Sequence, residues 1–385
     1  MTKQIVISGA TIFLESKILH DGHLLIEDGK IVEIKNKPIT VSGDVDVIDG
    51  TGLQVLPGFI DTHIHGANGV DVMDATEEAL RTMASSLPKE GTTSFLATTM
   101  TQSHEQIECA LSNVAAYNNN DAEATLLGVH LEGPFIHKAK KGAQPEQYIV
   151  PGDVALFKRW QQLADGQIKT VTLAPECDCD GLIAHLSETD VNPSAGHTTV
   201  NYVQMKEAAA QGVKQMTHLA NAMTAIHHRD VGAVGAAFLL DDVMVEVIAD
   251  EIHLSKEMLE ISFKQIGSDR MILITDAMRA KGLQDGMYEL GGQAVRVKDK
   301  QATLEDGSLA GSIITMIDCV RNMLKIEEVT LRDIVKMTAV NPAKQLHIYD
   351  KKGSITVGKD ADLVIMDDNC DIHYTICQGT IAYKE

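Results

Sequence analysis

The stretch that decides the fold is PGFIDTHIHG, residues 57–66. It has the pattern of a short apolar strand that ends in two histidines, His63 and His65. Side chains two positions apart on a strand point to the same side, so both imidazoles can face one metal ion at the C-terminal end of the strand. Taken alone, the pair is equally compatible with two histidines that pack or hydrogen-bond without a metal. The rest of the chain decides between these interpretations.

Seven more β-branched runs follow this strand, and longer amphipathic segments separate them, as in alternating strands and helices. The eight candidate strands are Gly58–His63, Thr93–Thr98, Leu126–Leu131, Lys169–Leu173, Val191–Ala195, Val213–Thr217, Val243–Ile248 and Met271–Thr275. Seven repeats of about 30 residues each lie between His63 and Asp276, which is the length of one barrel unit. We therefore predict an α/β protein with a TIM-like (β/α)8 barrel. A doubly wound open sheet is the alternative, but no Gly-x-Gly-x-x-Gly turn follows the first strand.

Both ends of the chain differ from this middle and consist of short strands and turns. Strand-like runs occupy residues 5–9, 22–29, 30–34, 353–358, 361–366 and 380–383. The pair Asp28-Gly29 predicts a hairpin turn. We predict a small β-sandwich module formed by residues 1–56 and 351–385, around a barrel of residues 57–350. Hairpin-like pieces between about residues 284 and 306 predict an insertion after the last barrel strand.

Polar residues follow four more of the candidate strands. The third strand leads to Glu132, the fifth to His197, the sixth to His218 and the eighth to Asp276. In a barrel these strand ends meet at one rim, where barrel enzymes carry their chemistry. Imidazoles and carboxylates together predict a site for zinc, iron, manganese or cobalt, among which these ligands do not choose. Taken singly, the two histidines are also compatible with a packed core, and Asp276 with a helix cap.

Charge and composition limit the classes of partner. The formal net charge is −21 and the pI is about 5.1, which argues against nucleic acid, because phosphate backbones need a field of Lys and Arg. An anionic substrate therefore needs a local cationic pocket. No apolar run approaches the roughly 20 residues of a membrane span, so we expect no membrane partner. No secretory signal pattern is found, and the scattered cysteines predict reduced thiols in the cytoplasm. The close pair Cys177 and Cys179 lacks the second pair of a tetrahedral metal site.

The chain resembles the amidohydrolase superfamily in five residues: His63, His65, His197, His218 and Asp276. A finer resemblance, to the N-acetylglucosamine-6-phosphate deacetylase family, covers essentially the whole chain. Its motifs are PGFID (57–61), HLEGPF (130–135), SAGH (194–197), THLANAM (217–223), TDA (275–277) and LAGS (309–312). The Leu-Glu-Gly-Pro and Asn-Ala-Met blocks are specific to this family, whereas the His-x-His pair is shared by the superfamily.

The resemblance implies hydrolysis of N-acetyl-D-glucosamine 6-phosphate to D-glucosamine 6-phosphate and acetate. It places the divalent ion shared across the family on Glu132, His197 and His218. Members differ in a second site, which exists where the His-x-His pair is present, so one or two ions per subunit are expected, with Glu132 as the bridge. By the same resemblance Asp276 takes a proton from water as general base and later gives it to the departing amine as general acid.

The resemblance also implies substrate contacts. Arg229 is expected to clamp the phosphate with bidentate geometry, although a surface pair with Asp230 is the alternative. The other implied contacts are Asn221, Ala222, His253, Ala143, Gln144 and Leu309. Many members carry a carbonyl-polarising histidine where Gln144 stands here, and a neutral amide donates a hydrogen bond but no charge. The family's substrate site lies near a dimer contact, which implies a homodimer in which a residue such as His253 serves the neighbouring subunit.

Two other functions stay open at this point. A cyclic-amide hydrolase of the dihydroorotase or dihydropyrimidinase kind would keep the fold. Those enzymes commonly use a carboxylated lysine from the fourth strand, but Lys169–Leu173 offers none at its C-terminal end. A barrel that has lost its metal and serves as a scaffold is the third possibility, and the retention of every candidate ligand argues against it.

Overall fold

The computed structural model describes residues 4–41, 45–177 and 180–385. Cys179 lies outside these residues, so the pair that it forms with Cys177 in the sequence is not described. The strands are β1 (Gln4–Phe13), β2 (Ile18–Glu27), β3 (Lys30–Lys35), β4 (Val45–Asp49), β5 (Gln54–Pro57), β6 (Phe59–Ile64), β7 (Gly66–Ala67), β8 (Val70–Asp71), β9 (Thr92–Thr99), β10 (Thr125–Glu132), β11 (Ile168–Leu173), β12 (Asn192–Ala195), β13 (Gln215–Met216), β14 (Met244–Ile248), β15 (Met271–Ile274), β16 (Gly286–Leu290), β17 (Gln293–Lys298), β18 (Gln301–Thr303), β19 (Leu363–Met366), β20 (Ile372–Cys377) and β21 (Thr380–Lys384).

The α-helices lie mostly between the barrel strands. They are α1 (Glu77–Ser86), α2 (His104–Ala116), α3 (Val154–Leu163), α4 (Asp180–Glu188), α5 (Tyr202–Gln211), α6 (Gly232–Leu239), α7 (Lys256–Ile266), α8 (Met316–Met323), α9 (Leu331–Val335) and α10 (Asn341–Gln345). Short 3-10 turns lie at Val72–Asp74, Leu87–Glu90, Lys138–Lys140 and Glu146–Tyr148, and a π-helical turn at Lys336–Val340 joins α9 to α10. None of the helices in the described ranges combines the length and the apolar character of a membrane span.

Eight parallel strands form the predicted barrel, in the order β6-β9-β10-β11-β12-β13-β14-β15. All eight predicted strands are confirmed within two residues at each end, and the sixth is the shortest, at two residues. The ring closes between β15 and β6, where the carboxylate of Asp61 accepts hydrogen bonds from Thr275 N at 3.3 Å and Thr275 Oγ1 at 2.5 Å. Just beyond, Asp276 N donates to His63 O at 2.8 Å. This closure brings the first and last strand ends to one rim.

The two chain termini form a second sheet of eight strands, in the order β21-β20-β19-β5-β1-β2-β3, with β4 paired to β1. Many of its buried residues form a core of their own, whereas Phe13, Leu56, Val364 and Met366 pack in the barrel core. The predicted hairpin turn is present: Asp28 and Gly29, with φ angles of 48° and 79°, connect β2 to β3. The β module from both termini is thereby confirmed, whereas the boundaries at residues 56/57 and 350/351 stay a prediction.

The predicted insertion is a three-stranded antiparallel sheet, β16-β17-β18. It stands at the mouth of the barrel, because its Leu290 packs with Met100 and Met278 in a small core of its own. Two side-chain hydrogen bonds fasten it there: Gln102 Nε2 donates to Gly291 O at 2.7 Å, and Gln293 Nε2 donates to Ala143 O at 2.6 Å.

A buried ion pair joins the segments that precede β9 and follow β15, with Lys281 Nζ 2.7 Å from Glu90 Oε1. Lys281→Met is expected to lower the free energy of unfolding by about 3–5 kcal/mol, because it leaves the buried carboxylate without its partner. Urea denaturation measures this loss. The control is Lys264→Met, which removes the exposed pairs with Glu260 and Glu328 and is expected to change stability by less than about 1 kcal/mol. Equal losses in the two variants would contradict this interpretation of the pair.

Candidate metal centre and substrate pocket

The predicted ligands and the predicted catalytic aspartate all lie at the C-terminal ends of barrel strands. They are His63 and His65 at the end of β6, Glu132 at the end of β10, and His197, His218 and Asp276, each two residues beyond β12, β13 and β15. The last three have φ angles of 47°, 32° and 47°, in the left-handed region that residues other than glycine rarely adopt. Such backbone persists where the surrounding structure holds it, and it is common at functional sites.

The carboxylate of Glu132 lies at the centre of this group. His197 Nε2 and His218 Nε2 lie 3.2 and 3.1 Å from Glu132 Oε1, and the two imidazole nitrogens are 3.1 Å apart. On the other side, His65 Nε2 lies 3.2 Å from Glu132 Oε2. The carboxylate thus stands between two sets of imidazoles.

The second set consists of His63, His65 and Asp276. The Nε2 atoms of the two histidines lie 3.5 and 3.2 Å from Asp276 Oδ1, and His63 Nε2 lies 3.5 Å from Glu132 Oε1. The ligand atoms of this set lie within 4.8 Å of one another, as do those of Glu132, His197 and His218. Each set therefore has the number and the spacing of donors that one ion needs.

The residues present fit divalent ions in two further respects. His63 Nε2 is buried and has no hydrogen-bond partner among the described residues, which is unfavourable unless another group binds it. Burial opposes a charge on His65, yet the carboxylates of Asp276 and Glu132 raise the pKa of His65 to about 9. The centre therefore favours positive charge, and its imidazole and carboxylate donors are those of zinc, iron, manganese or cobalt sites.

Hydrogen bonds behind three of the imidazoles direct their Nε2 atoms to the centre. The Nδ1 atoms of His65 and His197 lie 3.2 and 2.8 Å from the backbone oxygens of Thr98 and Lys140. Because a carbonyl oxygen only accepts, Nδ1 carries the proton and Nε2 keeps its lone pair. His63 Nδ1 lies instead 3.1 Å from a carboxylate, that of Glu246.

Asp276 has the charge state of a general base. Burial alone would raise its pKa, but His63 and His65 outweigh burial and hold the pKa of Asp276 at about 2. The imidazoles likewise outweigh burial at Glu132 and hold its pKa well below the ordinary value. Both carboxylates are therefore ionised near neutral pH, and Asp276, at the edge of the open pocket, is able to accept a proton.

The predicted substrate residues lie around a cavity of about 350 Å³ above the centre, with one exception. Those that line it are Ala143, Gln144, Asn221, Ala222, His253 and Leu309. Arg229 is the exception: its side chain is exposed and its Nη1 contacts His228 Nε2 at 2.6 Å, away from the residues that line the cavity. His253 is held by Asp250, whose Oδ2 lies 2.7 Å from His253 Nδ1.

Gln144 has both ends of its side-chain amide engaged. Its Oε1 accepts from Thr101 N at 2.7 Å, and its Nε2 donates to Glu132 Oε2 at 2.6 Å. The amide therefore orients the central carboxylate. Gln144 is part of the cavity wall, at the position where many members of the family are expected to carry a histidine.

Two residues that line or support the site were not among the predicted ones. Lys140 lines the cavity, and its Nζ donates to Met223 O at 2.7 Å. Its position in Lys140-Lys141-Gly142-Ala143, beside a predicted contact, was a signal for it. Glu246 lies behind His63, and the signal was a single carboxylate inside an otherwise apolar strand, Val243–Ile248.

Known proteins are similar to this chain over nearly its whole length. The amidohydrolase family matches residues 54–382. The N-acetylglucosamine-6-phosphate deacetylase of Bacillus subtilis (strain 168) is 46% identical over 388 residues, which cover 100% of this chain and 98% of the relative. The solved structure of the Thermotoga maritima enzyme of that name has a TM-score of 0.89 at 34% identity, covering 99% of this chain and 100% of its own. A mutant of the Mycobacterium smegmatis enzyme, in complex with N-acetyl-D-glucosamine-6-phosphate, has a TM-score of 0.91 at 27% identity, with the same coverage. The chain therefore belongs to the amidohydrolase family and, within it, to the N-acetylglucosamine-6-phosphate deacetylases.

Proposed function

We propose that this chain hydrolyses N-acetyl-D-glucosamine 6-phosphate to D-glucosamine 6-phosphate and acetate. The observation that carries the proposal is the meeting of Glu132, His197 and His218 beside an ionised Asp276 at the floor of one cavity. A linear amide resists water because water is a weak nucleophile and the amine is a poor leaving group. The site has groups for both difficulties.

Glu132, His197 and His218 would hold one divalent ion, and His63 and His65 would hold a second, with Glu132 between them. When bound, such an ion polarises a carbonyl oxygen and brings the pKa of water towards neutrality. Asp276 takes the proton from the attacking water, whose oxygen bonds to the acetyl carbon. As the C–N bond breaks, Asp276 gives that proton to the amine nitrogen, so one carboxylate acts first as base and then as acid.

The rim of the cavity would bind the phosphorylated sugar. Ala222 N donates no hydrogen bond within the described part of the chain, so it is free to donate to a phosphate oxygen, and Asn221 and His253 lie beside the same cavity. Ala143, Gln144 and Leu309 would enclose the acetyl end. Since Arg229 is exposed and does not line the cavity of its own chain, we propose a homodimer in which Arg229 reaches the cavity of the neighbouring subunit. We also propose a cytoplasmic location, in keeping with the free thiols of Cys109, Cys319, Cys370 and Cys377.

An assay of amine and acetate release, with ring opening of dihydroorotate followed separately by its ultraviolet absorbance, tests the function. N-acetylglucosamine 6-phosphate, unphosphorylated N-acetylglucosamine and dihydroorotate are compared at equal concentrations with the metal-loaded protein. We expect turnover of the first, much weaker turnover of the second and none of the third. Turnover of dihydroorotate alone would end the proposal.

The cyclic-amide alternative is not favoured by the site. Its carboxylated lysine would have to come from β11, whose Lys169 lies near the opposite end of the strand and donates from Nζ to Gly166 O at 3.1 Å. In the proposed centre Glu132 would serve as the bridge without such a lysine. A scaffold without metal is equally disfavoured, because the predicted ligands and Asp276 converge in two groups, in each of which the ligand atoms lie within 4.8 Å of one another.

Arg229→Ala is expected to raise KM for N-acetylglucosamine 6-phosphate about 10- to 100-fold, since a charge-assisted hydrogen bond contributes roughly 1.5–3 kcal/mol. The value of kcat/KM for the unphosphorylated sugar should hardly change. Steady-state kinetics on both sugars measures the difference. The matched control is Arg159→Ala, an exposed arginine paired with Glu108 away from the cavity. Equal effects on the two sugars would show that Arg229 does not bind the phosphate.

A further inference from the structure

Glu246 is a fully buried glutamate inside the barrel, and the proposed reaction does not use it. Its Oε2 lies 3.1 Å from His63 Nδ1 and 3.4 Å from His218 N, and its Oε1 accepts from Gln215 Nε2 at 2.6 Å. One carboxylate thus contacts a ligand of each proposed ion site. It lies in β14, next to the strand that leads to His218.

A chain of side-chain amides leads to Glu246 from the opposite end of the barrel. Gln345 Nε2 donates to Asn192 Oδ1 at 2.6 Å, and Asn192 Nδ2 donates to Gln215 Oε1 at 3.0 Å. Gln215 then donates to Glu246. All three amides donate in the same direction, so their dipoles point their positive ends towards the buried carboxylate and stabilise its negative charge.

His63 is distinguished from the other oriented ligands by the charge of its acceptor. His65 and His197 donate from Nδ1 to backbone carbonyls, which are neutral. A carboxylate acceptor makes the imidazole a stronger ligand at Nε2 and fixes both its tautomer and its ring orientation. The atom prepared in this way, His63 Nε2, is a buried nitrogen without a hydrogen-bond partner among the described residues.

We propose that Glu246 is the positioning residue of the ion site formed by His63 and His65, and that the amide chain from Gln345 to Gln215 holds Glu246 in place. This inference rests on the proposed function only in that it requires ions at the centre. It predicts that the two sites respond differently to the loss of Glu246. The site on Glu132, His197 and His218 keeps all its ligands, whereas the second loses the group that orients His63.

The test is Glu246→Gln, which keeps the size of the side chain and removes its charge. Zn²⁺ is titrated into metal-free protein against a competing chelator, and bound zinc is counted by elemental analysis after desalting. We expect the affinity of the second ion to fall about 10- to 100-fold, the range typical of such outer groups, while the first ion binds as in the wild type. Gln215→Leu leaves both His63 and the Glu246 carboxylate in place, and it should also lower the affinity for the second ion. This variant provides the test if Glu246→Gln does not fold.

The matched control is Glu123→Gln. Glu123 is also a buried glutamate, with Arg81 Nη1 and Tyr117 OH at 2.6 and 2.8 Å from its Oε1, and it lies away from the metal centre. The substitution Glu123→Gln should lower the free energy of unfolding without changing zinc binding. If Glu246→Gln bound both ions with wild-type affinity, the inference would be overturned and the proposed function would stand. The same holds if the wild-type chain bound only a single ion. A wild-type chain that binds no ion would overturn the proposed function itself.

Discussion

Asp276→Asn is expected to lower kcat for N-acetylglucosamine 6-phosphate about 10²- to 10⁴-fold, the usual contribution of a general acid and base. The amide has nearly the same shape as the carboxylate, but it neither takes a proton from water nor gives one to the amine. Because Asp276 makes no contact that binds the phosphate end, KM should change little. Steady-state measurement of acetate release, with zinc or iron content measured in parallel, separates the chemical step from ion binding.

Asp153→Asn serves as the control for this substitution. Asp153 is the N-cap of α3, where Oδ1 accepts from Ala155 N and Leu156 N, and it does not line the cavity. Its variant should keep full activity. An Asp276→Asn protein that keeps its ions and its wild-type kcat would remove Asp276 from the reaction.

His218→Ala should have an equally large effect for a different reason. It removes one of the three proposed ligands of the first ion, which are Glu132, His197 and His218. Since outer groups alone change metal affinity about 10- to 100-fold, the loss of a direct ligand should weaken binding of the first ion by more than about 100-fold. Activity should fall to background at metal concentrations that saturate the wild type. Elemental analysis after gel filtration and a metal-dependent activity curve measure both effects.

The control for His218→Ala is His373→Ala, in the terminal β module, where His373 pairs with Glu385. That variant should keep both its ions and its activity. If His218→Ala retained wild-type ion content, the proposed first site would be wrong.

Much of the fold could be predicted because barrel strands leave two local signals. Buried parallel strands have short β-branched runs, and the functional side chains stand where each run ends, as Glu132 does after Leu126–Leu131. The turn at Asp28-Gly29 was also predictable from the local sequence, because the left-handed backbone of a hairpin turn favours those two residues. The sixth strand was predicted at Val213–Thr217 and is shorter, Gln215–Met216, because hydrogen bonding to both neighbours, and not β propensity, sets its length.

What could not be predicted depends on side chains that meet from distant segments. Gln144 lines the cavity, but the contacts of its amide with Thr101 and Glu132 were not predicted. No role was predicted for Glu246. Its contact with His63 joins two residues that are 183 positions apart in the chain, and it depends on the stagger of their strands.

The floor and the wall of the cavity belong to different parts of the molecule. The ligands stand on barrel strands, whereas Leu290 comes from the inserted sheet, which packs through its own small core and is fastened by Gln102 and Gln293. The catalytic floor and the shape of the space above it can therefore diversify independently. Exchange of residues 286–303 between relatives is a route to enzymes that accept other acyl groups or sugars while the reaction itself is preserved.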